Sequence, residues 1–278
     1  MASNPSTVRR VITNGITMYM VEAGSGRPIV FLHGLGWNHT LWRSAMSGLQ
    51  DRYRVIAGDT RGHGISDKPP GPYSIQTFAD DWRGLLRALG LKRPCLVGLS
   101  QGGMIAQLLA VRYPDELGAL VLVSTTCRSD PAVRDKLEER IRKMRTEGPE
   151  AAARLAAQSV FSPVFLASKA PAVEEFVRWR AAMDQEPLME AARAAIGLDL
   201  TSELRSVKVP SLVVYGEDDA LTPPALVKAV AAALPAAQLV GVSGAGHMVP
   251  WERPEAFEKI LASFLDQHYP AHSQGDPR

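Results

Sequence analysis

The chain has 278 residues, of which 46% are hydrophobic and 22% charged, ordinary proportions for a globular protein. Its formal net charge of +2 is too small to favour nucleic acid or an anionic membrane as a partner, and no uninterrupted apolar stretch is long enough to cross a bilayer. With two cysteines, and no signal-peptide core in residues 1–10, the sequence predicts a soluble, cytoplasmic protein.

Short apolar runs alternate with helical patterns along most of the chain. The runs that predict strands are 16–23, 29–32, 55–57, 95–99, 119–123, 212–215 and 238–242. Helical spacing of apolar residues predicts helices over 75–89, 101–112, 224–234 and 254–265. Continuous apolar runs of this length are typical of strands covered on both faces. Their alternation with helices predicts an α/β fold with a mostly parallel sheet and helices on both faces.

One stretch departs from this alternation. From about 125 to 206 the sequence has helical patterns and no convincing strand. A block of helices between two core strands predicts an inserted helical lid over the sheet. We therefore divide the chain into an α/β core, 1–124 and 207–278, and a lid, 125–206. The basic cluster from Arg134 to Arg145 is amphipathic, and we expect it to form the solvated face of the lid.

A serine between glycines follows the predicted strand 95–99. The segment Gly98-Leu99-Ser100-Gln101-Gly102 fits the pattern G-x-S-x-G, and a predicted helix leaves it. Small residues are needed where a strand turns abruptly into a helix, and such a turn lifts the serine side chain above the sheet. The context therefore favours Ser100 as a nucleophile over an ordinary serine in a tight turn.

A hydroxyl is a poor nucleophile at neutral pH and needs a base within hydrogen-bond reach. Of the six histidines, His247 lies in a glycine-containing turn just after the predicted strand 238–242. This position places an imidazole on a loop at a strand end, as the chemistry requires. The other histidines lie near the C-terminus or in loops where a structural or capping role is expected. His247 is therefore the predicted base.

Where the nucleophile stands at a strand-to-helix turn of this kind, the acid that orients the base precedes the histidine in chain order. Glu217, Asp218 and Asp219 all follow the predicted strand 212–215 and compete for this role. We choose Asp219, with Asp218 and then Glu217 as alternatives. Ser100, Asp219 and His247 then form a predicted triad in the order nucleophile, acid, base.

Main-chain amides are expected to stabilise the negative oxygen that forms during acyl transfer. His33-Gly34-Leu35-Gly36 follows the predicted strand 29–32, where the amide of Leu35 can donate. The second donor is the amide of Gln101, directly after the nucleophile and at a helix N-terminus. Leu35 and Gln101 are therefore the predicted oxyanion hole.

These motifs, together with the loop from Asp59 to Asp67, resemble the α/β-hydrolase family in the same order over about 15–266. More narrowly, the segments 61–74 and 98–104 resemble 3-oxoadipate enol-lactonases and related carboxylesterases. The resemblance implies attack by Ser100 on the carbonyl of a small-molecule ester or lactone, an acyl-enzyme, and hydrolysis by water that His247 activates. It implies no cofactor and no metal. Serine rather than aspartate at this position argues against haloalkane dehalogenases and epoxide hydrolases.

The same resemblance suggests how a substrate pocket is lined. The predicted lining residues are Gly36, Trp37, Met104, Trp179 and Met248. An enol-lactone would carry carboxylates, so a basic side chain should enter the pocket. The candidates that the lid offers are Arg154, Arg178 and Arg180, and the ordinary alternative for each is a surface position.

Two other functions stay open at this stage. A hydrolase of carbon–carbon bonds in aromatic ring-cleavage products would use the same triad. Such enzymes often carry Asn where Leu99 stands and a longer glycine-rich run after the histidine and glycine that match His33 and Gly34. A non-enzymatic ligand receptor on the same scaffold could keep an intact triad. The exact substrate and the oligomeric state, including a homo-oligomer, also stay open.

Overall fold

The structure is a computed structural model that describes residues 6–271 as one sheet of eight strands and eleven α-helices. The strands are β1 (Thr7–Thr13), β2 (Ile16–Ala23), β3 (Pro28–Leu32), β4 (Arg54–Gly58), β5 (Cys95–Leu99), β6 (Ala119–Val123), β7 (Ser211–Gly216) and β8 (Ala237–Val242). The helices are α1 (Arg43–Leu49), α2 (Ile75–Ala88), α3 (Gln101–Arg112), α4 (Pro131–Glu147), α5 (Pro149–Val160), α6 (Pro163–Ser168), α7 (Ala170–Ala181), α8 (Gln185–Ala194), α9 (Pro224–Ala233), α10 (Val249–Glu252) and α11 (Pro254–His268). None of the helices in this described range is long and apolar enough to cross a membrane.

The strands are ordered β1-β2-β4-β3-β5-β6-β7-β8 across the sheet. The pairs β1–β2 and β2–β4 are antiparallel, and the other five are parallel. This confirms the predicted mostly parallel sheet. The sequence did not predict β1, because this edge strand is largely exposed and lacks the apolar run that marks a buried strand.

Alternate residues of the central strands pack on opposite faces of the sheet. In β3, Val30 and Leu32 join a core cluster with α2, α3 and α9, whereas Ile29 and Phe31 join a second cluster with α1 and α11. Both faces of the strand are therefore covered by helices, as predicted. This double burial explains why the central strands are apolar at every position rather than at alternate ones.

Five helices, α4 to α8, lie between β6 and β7 in the chain. The two ends of this segment pair with each other, through an antiparallel bridge between Arg128 and Asp199 and a 2.8 Å hydrogen bond from Leu200 N to the carbonyl oxygen of Cys127. The segment therefore leaves and re-enters the sheet layer at neighbouring points. The division into a core of 1–124 and 207–278 and a lid of 125–206 stays a prediction.

Helix α4 carries the basic cluster that we expected to be solvated. Arg142 and Arg145 are exposed, but Arg140 is only 8% exposed, so the prediction is wrong for this residue. Arg140 follows the buried Val133 and Leu137 at helical spacings of seven and three residues, and therefore lies on the same inward face. The prediction failed because it treated the cluster as a whole and did not assign its members to helix faces.

Candidate active site

Ser100 occupies a strained corner between β5 and α3. Its φ of 54° and ψ of −116° lie in a region that residues other than glycine rarely adopt. The neighbouring glycines permit this turn, since a Cβ atom at Gly98 would clash with the backbone of Gly102, and one at Gly102 would clash with the carbonyl oxygen of Leu32. The turn thus places the serine at the carboxyl end of a central strand.

Hydrogen bonds hold this corner on both sides. The Ser100 amide donates to the carbonyl oxygen of Val123 at 2.9 Å. Its own carbonyl oxygen accepts from the Thr125 hydroxyl at 2.7 Å and from the Met104 amide, inside α3, at 3.0 Å. Strained dihedrals persist where the surroundings over-determine them, and these three bonds provide that constraint.

Asp219 and His247 form a buried pair on the loops that follow β7 and β8. His247 Nδ1 lies 2.9 Å from Asp219 Oδ2, and the two residues are 2% and 3% exposed, respectively. The other oxygen, Oδ1, accepts the amides of Leu221 and Thr222, each at 2.9 Å. The carboxylate can only accept a hydrogen bond, so it favours the tautomer that carries its proton on Nδ1. The Nε2 atom of this tautomer is free to take a proton. The alternatives Asp218 and Glu217 are exposed.

Thr222 completes this arrangement, and the sequence reasoning missed it. Its hydroxyl donates to Asp219 Oδ2 at 2.7 Å and lies 3.1 Å from His247 Nδ1. A threonine three residues after an aspartate in a turn is a pattern in which local side-chain hydrogen bonds are common. That signal could have separated Asp219 from its two acidic neighbours.

The loop after β3 lies directly against the serine. A Cβ atom added at Gly34 would stand 3.2 Å from Ser100 Cβ. Leu35, the next residue, lines the same cavity as Ser100, and so does Gln101 at the first position of α3. Both predicted oxyanion-hole residues thus lie beside the serine. The Gln101 side chain also donates to the Ala191 carbonyl oxygen of α8 at 2.6 Å, which ties α8 to the corner.

Ser100 and His247 line one cavity of about 540 Å³, including the part open to solvent. Of the predicted pocket residues, Trp37, Met104 and Met248 also line it. Gly36 lies outside the lining and accepts a hydrogen bond from Arg180 through its carbonyl oxygen. Trp179 lines a separate cavity, and its ring packs 5.1 Å from that of Trp37. Most of the side chains that line the cavity are aliphatic or methionine side chains.

Two arginines line the cavity, one from α4 and one from α7. Arg180, one of the three basic candidates, lines it together with Arg140, which the sequence reasoning had placed in solvent. The other two candidates stay outside, since Arg178 is exposed and Arg154 forms surface ion pairs with Glu150 and Glu174. Helix phase explains this outcome, because Arg178 and Arg180 lie two positions apart on α7 and so project in different directions.

Further buried polar residues support the neighbouring loops. Asp59 Oδ1 accepts both the amide and the Nδ1 of His39, each at 2.7 Å, while Oδ2 accepts the Ile65 amide at 2.8 Å. His33 Nε2 accepts the Thr60 amide at 2.9 Å. Burial lowers the pKa of His63 to about 3, so this ring is neutral in the folded protein. His39 and His33 thus join neighbouring loops, as expected of structural residues.

The sequence profile of the alpha/beta hydrolase fold matches residues 27–254. The chain belongs to the α/β-hydrolase family. It is 32% identical over 279 residues to the 2-(acetamidomethylene)succinate hydrolase of Mesorhizobium japonicum, covering 96% of this chain and 98% of that protein. It is 29% identical to the 3-oxoadipate enol-lactonase 2 of Acinetobacter baylyi, over 89% and 92% of the two chains.

A solved structure gives the same result. The crystal structure of the enol-lactonase from Burkholderia xenovorans LB400 superposes with a TM-score of 0.86 at 30% sequence identity, covering 93% of this chain and 100% of that one. The predicted α/β-hydrolase fold and the predicted resemblance to enol-lactonases are both confirmed.

Proposed function

We propose that this protein is a serine hydrolase that cleaves a carboxylic ester or lactone through an acyl-enzyme on Ser100. One observation carries the proposal: Ser100 shares a cavity with the imidazole of His247, whose Nδ1 is bonded to the buried carboxylate of Asp219. The similarity to two enol-lactonases supports this class of bond. A small-molecule ester or lactone is therefore the proposed partner.

In the proposed reaction, His247 Nε2 takes the proton of the Ser100 hydroxyl as its oxygen attacks the carbonyl carbon. The carbonyl oxygen becomes negative in the tetrahedral intermediate, where the amides of Leu35 and Gln101 donate to it. The intermediate then expels the alcohol, which receives the proton from His247, and leaves an acyl group on Ser100. Water, deprotonated by His247, releases the acid and regenerates the serine.

Asp219 and Thr222 act on this reaction through His247. The carboxylate fixes the ring orientation and stabilises the imidazolium that forms when the proton arrives. The two loop amides and the Thr222 hydroxyl hold the carboxylate in turn, so it needs no reorganisation as the charge develops. The buried pair thus provides a preorganised partner for the base.

A fluorophosphonate probe tests the nucleophile directly. We expect covalent labelling of the wild-type protein at Ser100, found by peptide mass spectrometry, and no labelling of Ser100→Ala. Ser47→Ala, at an exposed serine of α1, is the matched control and should label like the wild type. Hydrolysis of short p-nitrophenyl esters and small lactones should follow the same pattern. A folded wild-type protein that is neither labelled nor active on any of these compounds would contradict the proposal.

Two alternative functions predict different results. A carbon–carbon bond hydrolase would turn over a coloured aromatic ring-cleavage product faster than any ester or lactone. A ligand receptor would keep its biological function in Ser100→Ala.

The cytoplasm is the proposed location, and the two buried free thiols, Cys95 and Cys127, suit a reducing compartment. Fractionation of cells that produce the protein would test this location. Light scattering would test the homo-oligomer that the sequence left open.

A further inference from the structure

Arg140 is a buried arginine that lines the same cavity as Ser100 and His247. The residue is 8% exposed, and within residues 6–271 neither its Nε nor its Nη2 atom has a hydrogen-bond partner. Buried donors without partners are rare in folded proteins, and charged ones are the most costly. An unpartnered charged group at a cavity wall is therefore a candidate for ligand binding.

In two other arginines of this chain, the Nε and Nη2 atoms bind a carboxylate. Arg61 Nε and Nη2 donate to the two oxygens of Asp81, each at 2.7 Å. Arg83 uses its Nε and Nη2 to hold Glu116 at 3.2 and 2.7 Å. These atoms form one edge of the planar guanidinium, and their N–H bonds point in the same direction, which matches a carboxylate. The edge of Arg140 therefore has the geometry to bind one carboxylate.

The carboxylates of the protein near Arg140 are engaged elsewhere. The negative charge of Asp219 acts on Arg140, but its two oxygens face the amides of Leu221 and Thr222, the Thr222 hydroxyl and His247. Glu139, adjacent in the chain, has a half-exposed side chain that pairs with Arg142. Burial lowers the pKa of Arg140 to about 10 despite these two charges. The charge of Arg140 is thus only partly compensated.

Arg180 adds a second positive charge to the same wall. Its Nη1 donates to the carbonyl oxygens of Leu35 and Gly36, at 3.3 and 3.2 Å, so it also braces the loop beside Ser100. Burial, and to a smaller extent the positive charge of Arg140, lowers the pKa of Arg180 to about 9. Two buried positive charges that repel each other are stabilised when an anion binds near them.

We propose that the substrate carries a carboxylate remote from the scissile carbonyl, and that Arg140 binds this carboxylate through Nε and Nη2. This inference rests on the proposed hydrolysis of an ester or lactone. Arg180 contributes its charge and holds the oxyanion loop. The walls beside Arg140 are apolar, with Val133 and Leu137 from α4 and Met104 from α3. A short aliphatic or ring segment between the two functional groups of the substrate fits this lining. Arg140 is thus a specificity-determining residue.

Two pairs of esters test the proposal, since the carboxylate could belong to the acid or to the alcohol part. The first pair is mono-p-nitrophenyl adipate and its carboxamide analogue. The second is 4-carboxyphenyl hexanoate and 4-carbamoylphenyl hexanoate. Within each pair the size is nearly constant while the charge changes. The ratio of kcat/KM between the two members, measured in a pH-stat, reports the preference for the carboxylate.

We expect the wild-type protein to prefer the carboxylate in at least one pair by about 100-fold, the effect typical of a bidentate charged hydrogen bond. Arg140→Gln should reduce this ratio to near one. Arg140→Lys retains the charge but not the two-pronged edge, and should retain about a tenth of the preference. Arg142→Gln is the matched control, an exposed arginine on the same helix, and should leave the wild-type ratio unchanged.

Equal turnover within both pairs by the wild type, or a preference that survives in Arg140→Gln, would overturn the proposal while leaving the serine hydrolase intact. A second measurement does not depend on catalysis. Adipate binding to Ser100→Ala, measured by calorimetry, should weaken at least tenfold when Arg140→Gln is added. If no ester is cleaved and no probe labels Ser100, the proposed function fails. If adipate also binds equally well with and without Arg140→Gln, the carboxylate site is overturned too.

Discussion

Replacing Arg140 with methionine should stabilise the protein in the absence of ligand. The side chain is buried, has no partner for two of its nitrogens among the described residues, and lies on an apolar helix face with Val133 and Leu137. Methionine keeps most of the aliphatic stem and removes the buried charge. Replacing a buried charged group with an apolar one of similar volume is often neutral or stabilising.

The size of the effect follows from the pKa of the guanidinium. Burial lowers this pKa well below its ordinary value, to about 10. At about 1.36 kcal/mol for each pH unit, a lowering of this size corresponds to about 3 kcal/mol against the charged form. Because the folded pKa is the lower one, this penalty is fully present below about pH 10 and shrinks only as the pH rises from there toward the pKa of the unfolded chain. At neutral pH we therefore expect Arg140→Met to gain about 1–3 kcal/mol.

Urea unfolding at pH 7.5, followed by tryptophan fluorescence, measures this gain. The free energy of unfolding comes from linear extrapolation, and an unchanged slope would confirm that the denatured state is the same. Arg142→Met, at an exposed position of the same helix, should stay within about 0.5 kcal/mol of the wild type. A loss of 1 kcal/mol or more in Arg140→Met would refute the reasoning, since it would mean that the protein itself compensates the guanidinium.

Three further predictions concern the site and its support. Asp219→Asn should lower kcat by about 10³–10⁴ on any ester that the wild type cleaves, because the ring loses its orienting carboxylate, while Asp218→Asn at the exposed neighbour should change kcat less than threefold. Gly102→Ala should lower the free energy of unfolding by about 3 kcal/mol, since its new methyl group would clash with the carbonyl oxygen of Leu32. Gly48→Ala, where the nearest atom would be 3.7 Å away, is its control and should cost nothing. His63, held neutral by burial with a pKa of about 3, must gain a proton on unfolding below pH 6.5, so stability should fall by about 2 kcal/mol between pH 7.5 and 5. His63→Asn should show a smaller fall over the same interval, and an equal fall would contradict this account.

Much of the sheet and the corner at Ser100 could be predicted because their causes are local. The strand β5 has the bounds that its apolar run predicted, 95–99, since double burial requires apolar side chains at every position. The glycines around Ser100 are required by steric contact within a few residues of the serine and with the adjacent strand. Edge strand β1 and helices α1 and α6 were not predicted, because short or exposed elements carry little periodic signal.

The sequence by itself determined seven of the eight described strands in their chain order, the family resemblance and the chain positions of Ser100, Asp219 and His247. It did so because backbone sterics and apolar periodicity act over a few residues. Only the tertiary structure decided that Thr222 contacts Asp219 and His247, that Trp179 lines another cavity, and that Arg140 and Arg180 face inward while Arg154 and Arg178 face solvent. The direction in which a long charged side chain projects depends on which face of its helix packs against the rest of the protein, and that is set by contacts between residues far apart in the chain.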